Sequence, residues 1–139
     1  MTSYWQHYPH DADIGIRGFG ASLASAFEQA AVALTAVSAD PGKVREKESV
    51  IIKCNNADPE LLFTDWINSI IYEMAVRKML FSGFKVDING AKLIAEISGE
   101  QVDILRHQPA VEIKGATFTT LKVIQNSDLE WMVQTVVDV

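Results

Sequence analysis

Apolar residues recur at two different periods along this chain, and together the two periods predict an α+β fold. From residue 23 to residue 37 they recur at steps of three and four after Ser22, a plausible N-cap, as on one face of a helix. A broader stripe of the same period follows residues 58–60 (Asp-Pro-Glu), a strong helix-start signal. We expect the first helix to end at residues 40–42 (Asp-Pro-Gly) and the second to run to about Met79.

Alternating apolar and polar residues predict strands in most of the remaining chain. The predicted strands are residues 4–8, 14–19, 50–54, 84–88, 93–97, 111–124 and 129–139. Pro9 is expected to stop the first strand, and Asn89-Gly90 is a type I′ turn signal that predicts a hairpin. A second hairpin is expected to turn at residues 126–128, and residues 101–109 to form a loop with at most one helical turn.

These elements predict a two-layer sandwich in which two main helices pack on a mostly antiparallel sheet. The chain has 139 residues, of which 48% are hydrophobic, so residues 1–139 are expected to form a single domain with a substantial core. No stretch has the pattern of a signal peptide or the length of a membrane span, so we expect a cytoplasmic protein with no membrane partner.

Charge and cysteine content narrow the classes of function. The formal net charge of −6 argues against a broad nucleic-acid surface, which would need a basic footprint, and favours a basic protein partner or a cation. The single cysteine, Cys54, excludes an internal disulfide and a Cys-rich zinc cluster. Because Cys54 follows an apolar run, we interpret it as a core thiol and not as a nucleophile.

The main concentration of candidate chemistry is near the N-terminus, where His10, Asp11 and Asp13 fall within four consecutive positions. This polar stretch leads into a short strand, and glycines at 15, 18 and 20 precede the first helix. The residues alone leave open a polar turn that merely starts a strand. A zinc site built from His7, His10 and His107 is a further alternative, although their spacing does not indicate one.

Residues 10–16 (His-Asp-Ala-Asp-Ile-Gly-Ile), followed by Gly-Phe-Gly at 18–20, resemble the opening signature of the archease family. Residues 114–117 (Lys-Gly-Ala-Thr) and the terminal Val-Val-Asp-Val at 136–139 resemble that family's last two strands. The middle of the chain agrees more loosely, through Trp-Ile-Asn at 66–68. The resemblance therefore extends over nearly the whole sequence.

The archease resemblance implies a divalent-cation site formed by Asp13, Asp138 and the backbone oxygen of Val139. Carboxylates and carbonyl oxygens are hard ligands that suit Ca²⁺ or Mg²⁺. Without the resemblance, both aspartates would be interpreted as surface residues. Whether His10 and Asp11 contribute to the site stays open, because His10 could equally brace the turn.

The resemblance also implies that the protein is not itself an enzyme. Archeases assist the RtcB-type RNA-splicing ligase that joins tRNA halves, by promoting guanylylation of the ligase and restoring multiple turnover. An alternative is a chaperone-like protein-interaction module whose metal ion only stabilises the fold. A free-standing metal-dependent hydrolase is permitted by two aspartates and a histidine, but nothing in the sequence indicates one.

The chain departs from the archease pattern in two places. Asp11 stands where the opening signature usually has threonine, and residues 117–119 (Thr-Phe-Thr) stand where many members have Thr-Tyr-His. Phe118 therefore lacks the phenol hydroxyl of the usual tyrosine, and Thr119 lacks the imidazole of the usual histidine. If those groups contact a partner or brace the metal, the departure affects function and leaves the fold unchanged.

Overall fold

A computed structural model describes residues 2–126 and 129–139 of the chain. The elements, in chain order, are β1 (Tyr4–His10), β2 (Asp13–Gly20), α1 (Leu23–Ser38), a 3-10 helix (Pro41–Lys43), β3 (Glu48–Asn55), α2 (Pro59–Arg77), β4 (Met79–Asn89), β5 (Lys92–Gln101), α3 (Ile104–His107), β6 (Gly115–Ala116), β7 (Lys122–Gln125) and β8 (Trp131–Asp138). The predicted α+β class with antiparallel pairing is confirmed. None of the described helices combines the length and apolar character needed to cross a membrane.

The described strands form two antiparallel sheets instead of the single sheet expected from the sequence. The first sheet has the order β1-β2-β8-β6, and β7 also pairs with β8. The second sheet has the order β3-β5-β4. Strand β2, near the start of the chain, and strand β8, at its end, are therefore neighbours at the centre of the first sheet, which brings together the two ends of the sequence.

The hairpin β4–β5 is confirmed, but its turn differs from the prediction. Asn89 pairs with Lys92, so the two-residue loop is Gly90-Ala91 and not Asn89-Gly90. Gly90 has φ +62°, a conformation that glycine adopts without strain at the first loop position. Strand β4 also begins earlier than predicted, at Met79, because Lys78 adopts a left-handed conformation that ends α2 at Arg77.

Both long helices begin as the sequence predicts. The Ser22 hydroxyl accepts a hydrogen bond from the Ser25 backbone N–H at 3.1 Å, and the Asp58 carboxylate accepts one from the Glu60 N–H at 2.9 Å. The buried apolar cluster contains residues of both helices and both sheets. Within it, Trp66 of α2 is fully buried and donates from its indole N–H to the backbone oxygen of Phe27 in α1. This contact joins the two helices inside the core.

The prediction of one continuous strand over residues 111–124 is wrong. The structure has two short strands, β6 and β7, and between them a loop over residues 117–121 that folds across the first sheet. In this loop the Thr119 carbonyl accepts from the Val136 N–H, and the Thr120 carbonyl accepts from the Gln134 side chain. Because the loop covers this face of β8, Gln134 and Val136 are buried, as are Val133 and Val137 on the opposite face.

Of the smaller predictions, one changes and one is confirmed. Strand β1 continues through Pro9 to His10, since β1 lies at the edge of its sheet, where proline's missing N–H breaks no ladder bond. The predicted helical turn within residues 101–109 is present as α3. Of the predicted turn at residues 126–128, positions 127 and 128 lie outside the described residues.

Candidate cation site at the edge of the first sheet

Asp13 and Asp138 are brought to facing positions on adjacent strands. The register of β2 and β8 pairs Ile14 with Val137, and one step further along the same register Asp13 faces Asp138. Facing residues of an antiparallel pair share a face and have Cβ atoms about 5 Å apart. The two aspartates, which are 125 positions apart in sequence, therefore project from one face of the sheet.

The row that contains the aspartates extends across four strands, and we call it the cross-sheet row. His10 of β1 pairs with Asp13, and Gly115 of β6 pairs with Asp138. Gly115 has no side chain, so one side of Asp138 is open. A depression of about 270 Å³, bordered by Tyr8, Pro9 and Asp13 among others, opens on the other side of the row.

Val139 is tied to the row through its backbone. Its N–H donates to Oδ1 of Asp13 at 3.3 Å, and the carbonyl of Asp138 accepts from the Lys114 N–H at 2.8 Å. These two bonds hold the last residues of the chain between β2 and β6. The three predicted cation ligands, Asp13, Asp138 and Val139, therefore lie together.

The donor chemistry of the row fits a hard divalent cation. Asp13 is half-buried and Asp138 exposed, and within the described part of the chain neither carboxylate has a lysine, arginine or histidine nitrogen within 4.0 Å. Two neighbouring carboxylates without a compensating cation repel each other, and a bound cation would remove that repulsion. Oxygen donors of this kind are preferred by Ca²⁺ and Mg²⁺.

His10 and Asp11 lie beside the aspartates but do not complete a larger cluster. The His10 Nδ1 is 3.8 Å from the Asp11 carboxylate, whose side chain is 94% exposed. Asp11 adopts φ +52° in the tight loop between β1 and β2, a conformation that aspartate tolerates better than most residues. Throughout residues 2–126 and 129–139, no three His, Cys, Asp or Glu side chains converge as a metal site would require.

The alternative zinc site is contradicted, because two of the three histidines have other partners. His7 bonds the backbone oxygen of Ala33 in α1 at 2.7 Å. His107 is 3% exposed and lies in α3, where its Nδ1 accepts from the Asp103 N–H and its Nε2 faces Glu100. Imidazoles engaged in this way are not available to share one metal ion with His10.

Tyr8 is a neighbour of the row that no motif in the sequence singles out. Its ring lies flat on Gly15, where an added Cβ would come within 2.2 Å of the ring, and its hydroxyl is 2.7 Å from the Thr120 hydroxyl. Burial raises the pKa of the Tyr8 phenol, and the Arg17 guanidinium lies 4.4 Å from its ring centre. The signal that could have found Tyr8 is a glycine expected to face an aromatic residue across a hairpin.

The segment that departs from the archease pattern lies next to Tyr8. Thr117 donates its hydroxyl to the Val136 carbonyl, and Phe118 is 68% exposed. The Phe118 ring therefore has no part in the core and is accessible to a partner. Cys54 lies elsewhere, half-buried against Ser69, and burial raises the pKa of its thiol, which agrees with an unreactive role.

Comparison with known proteins finds similarity over nearly the whole chain. A family model described as the Archease protein family (MTH1598/TM1083) matches residues 5–139. "Protein archease" of Pyrococcus abyssi is 37% identical over 139 residues, which cover 97% of this chain and 98% of that protein. "Protein archease" of Sulfurisphaera tokodaii is 36% identical over 137 residues, with coverage of 97% and 98%. The resemblance seen in the sequence is confirmed.

Two solved structures share the fold. Protein 1598 of Methanobacterium thermoautotrophicum superposes with a TM-score of 0.79 at 22% identity, covering 97% of this chain and 98% of that one. A protein of Thermotoga maritima, described as an archease and possible chaperone, superposes with a TM-score of 0.65 at 20% identity, covering 95% and 94%. At these identities the likeness supports the fold alone.

Proposed function

The chain belongs to the archease family, and from this premise we propose that it is an accessory protein of an RtcB-type RNA-splicing ligase. In this role it promotes guanylylation of the ligase and restores multiple turnover during tRNA splicing and RNA repair. It acts through contact with the ligase and carries out no reaction of its own. Direct binding of nucleic acid is not expected from a chain with a net charge of −6.

The observation that supports this proposal most is the pairing of Asp13 with Asp138 in the cross-sheet row. Two carboxylates that face each other without a cationic partner repel each other, and this repulsion destabilises the fold unless another interaction offsets it. The same residues match the family's cation ligands at both ends of the sequence. The arrangement is therefore better explained by a bound ion than by a solvated sheet edge.

A divalent cation would be held by the carboxylates of Asp13 and Asp138 and by the backbone oxygen of Val139. When bound, such an ion supplies a fixed positive charge that can orient phosphate oxygens. The protein's part is to hold both carboxylates side by side at the sheet edge. The exposure of Asp138 leaves this edge open to a partner.

A ligase–GTP labelling assay tests the function directly. Purified RtcB-type ligase is incubated with radiolabelled GTP and an excess of RNA ends, with and without this protein and with Ca²⁺, Mg²⁺ or a chelator. We expect the protein to raise both the labelled fraction of the ligase and the number of joined ends per ligase, in the presence of the cation. Unchanged labelling and single turnover in its presence would contradict the proposal.

A chaperone-like module is the second candidate, and one observation favours it. The bond from the Val139 N–H to Asp13 ties the last strand to the first turn of the sheet, so a cation there could serve only to stabilise the fold. The Thermotoga maritima relative is itself described as a possible chaperone. Suppressed aggregation of unrelated unfolded proteins, together with no effect on the ligase, would favour this second function.

A further inference from the structure

Strand β6 lies directly beside Asp138 and is itself held by few backbone bonds. It has two residues, Gly115 and Ala116, and it forms the edge of the first sheet beyond β8. On the β8 side, the Lys114 N–H donates to Asp138 and the Thr117 N–H donates to Val136. So short an edge strand requires a further attachment if it is to fix the backbone of its neighbour.

Asn68 of α2 supplies that attachment. Its Oδ1 accepts the outward-facing N–H of Ala116 at 2.9 Å, and the same oxygen would lie 3.6 Å from a Cβ added at Gly115. At the sheet edge that faces α2, the backbone N–H of Ala116 is therefore satisfied by a side-chain acceptor. Satisfying an edge N–H in this way also removes a group that would otherwise depend on water.

The helix beneath Asn68 is a rigid support. Trp66 and Ile67, the two residues before it, are both fully buried, and the Trp66 indole is bonded to α1. Asn68 itself is exposed, so its side chain adds little to the core. A polar side chain on a fixed helix turn, aimed at the edge of a two-residue strand, determines where that strand sits.

We propose that Asn68 is a positioning residue for the cation site: it fixes β6 against α2 and thereby holds the backbone of Asp138 and Val139 in place. This inference rests on the proposed cation site. The chain of contacts runs from Asn68 to Ala116, from Lys114 to the Asp138 carbonyl, and from Val139 to Asp13. Loss of the contact between Asn68 and Ala116 frees the backbone of Asp138 and Val139 to move, while both carboxylates remain in the chain.

Calorimetric titration of the metal-free protein with CaCl₂, and separately with MgCl₂, tests this inference. Asn68→Ala should weaken cation binding about tenfold, the low end of the effect known for residues that orient metal ligands. Asn68→Asp keeps an acceptor oxygen at the same position and should bind as tightly as the wild type or more so. Asp65→Ala is the matched control, because it alters an exposed residue of the same helix with a similar gain in helix propensity.

Hydrogen exchange at the Ala116 and Val139 amides provides a second readout. Both amides should exchange faster in Asn68→Ala than in the control, and added Ca²⁺ should restore protection at Val139 only in part. If Asn68→Ala does not fold, Asn68→Gln, whose longer side chain displaces the oxygen, is expected to show the same weakened binding. A folded Asn68→Ala protein with wild-type cation affinity would overturn the inference and leave the cation site standing, whereas a wild type that binds neither cation would overturn both.

Discussion

The carboxylate of Glu100 and the carboxylate pair of Asp13 and Asp138 lie in opposite electrostatic environments. Glu100 is 4% exposed and is surrounded by donors: Arg106 at 2.6 Å, His107 Nε2 at 3.1 Å and the Arg45 N–H at 2.7 Å. Asp13 and Asp138 have no such cationic partners among the described residues and accept one backbone N–H between them. The difference separates a charge that the fold itself compensates from a pair of charges that it leaves uncompensated, at the place where we propose a bound cation.

The cluster of Glu100, Arg106 and His107 secures a connection between elements. Arg106 also donates to the Lys43 carbonyl, so the cluster joins α3 to β5 and to the short 3-10 helix. The Nδ1 of His107 accepts from a backbone N–H, so its Nε2 carries the proton that faces Glu100. Every donor around Glu100 thus has a defined partner, and the cluster has the character of a structural support.

The largest expected effect follows from removal of the central carboxylate of that cluster. Glu100→Ala removes the acceptor of the buried His107 Nε2–H and the main carboxylate partner of the half-buried Arg106 guanidinium, and a buried donor left without an acceptor is destabilising. Urea denaturation measures the unfolding free energy. We expect it to fall further in Glu100→Ala than in any variant that removes an exposed carboxylate. Glu96→Ala, an exposed site on the same strand, should stay within roughly 0.5 kcal/mol of the wild type; equal effects of the two variants would contradict this account.

The next effect concerns the pair that the fold leaves uncompensated. At a Ca²⁺ concentration about 100 times its dissociation constant, the wild type should gain about 2.7 kcal/mol of unfolding free energy, because the ion binds only the native state. Asp13→Asn and Asp138→Asn should lose most of that gain, which a thermal melt with and without Ca²⁺ measures. The control is Asp87→Asn on the other sheet, which should keep the full gain. A wild type whose melting temperature does not respond to Ca²⁺ or Mg²⁺ would contradict the cation site.

A smaller effect is the pH dependence that Glu100 contributes. The hydrogen bond from Arg106, aided by the Arg45 N–H, holds the pKa of Glu100 well below its ordinary value of 4.5. The unfolded chain therefore binds a proton at Glu100 at a higher pH than the folded chain does, so this contribution is complete above about pH 4.5 and is lost as the pH falls below it.

Unfolding free energies of wild type and Glu100→Gln, measured between pH 3 and pH 7, isolate this contribution. We expect the advantage of the wild type to be constant above about pH 5 and to shrink steadily below about pH 4.5. An advantage that persists unchanged at the lowest pH at which both proteins fold would show that the carboxylate charge is not what the cluster requires.

The smallest expected effect is that of Asp138→Asn on the metal-free fold. Asp138 is exposed at the end of β8 and its side chain fills no part of the core, so the change in unfolding free energy should be within roughly 0.5 kcal/mol. Removal of one of two facing charges also relieves their mutual repulsion, which acts in the stabilising direction. A large loss in denaturation without metal would instead assign Asp138 a structural role.

The sequence was informative wherever a local signal determined the structure. The caps at Ser22 and Asp58 predicted both helix starts, and the hairpin around Gly90 followed from turn chemistry. Residues 111–124 were mispredicted because the alternation was extended past Thr119 and Thr120, two adjacent polar residues inside the loop over residues 117–121. Its position is set by long-range bonds to β8, which no local pattern contains.

The candidate site residues could be proposed from the sequence, but their surroundings could not. Asp13, Asp138 and Val139 were proposed through resemblance alone, and only the register of β2 with β8 shows that the two aspartates lie on adjacent strands at facing positions. The contributions of Tyr8 and Asn68 depend on contacts between residues that are 112 and 48 positions apart in sequence. The separation of His107 from the other histidines likewise follows from its bond to Glu100, which sequence spacing does not indicate.

The most direct test of the central claim is ligase guanylylation in the presence of Asp138→Ala. We expect this variant to stay folded, as judged by its metal-free melting temperature, and to fail to raise either GTP labelling or turnover of an RtcB-type ligase at a cation concentration that saturates the wild type. Asp87→Ala, assayed in parallel, should stimulate the ligase as the wild type does. Full stimulation by a folded Asp138→Ala protein would contradict the claim that the cation-binding carboxylates of the cross-sheet row carry the function.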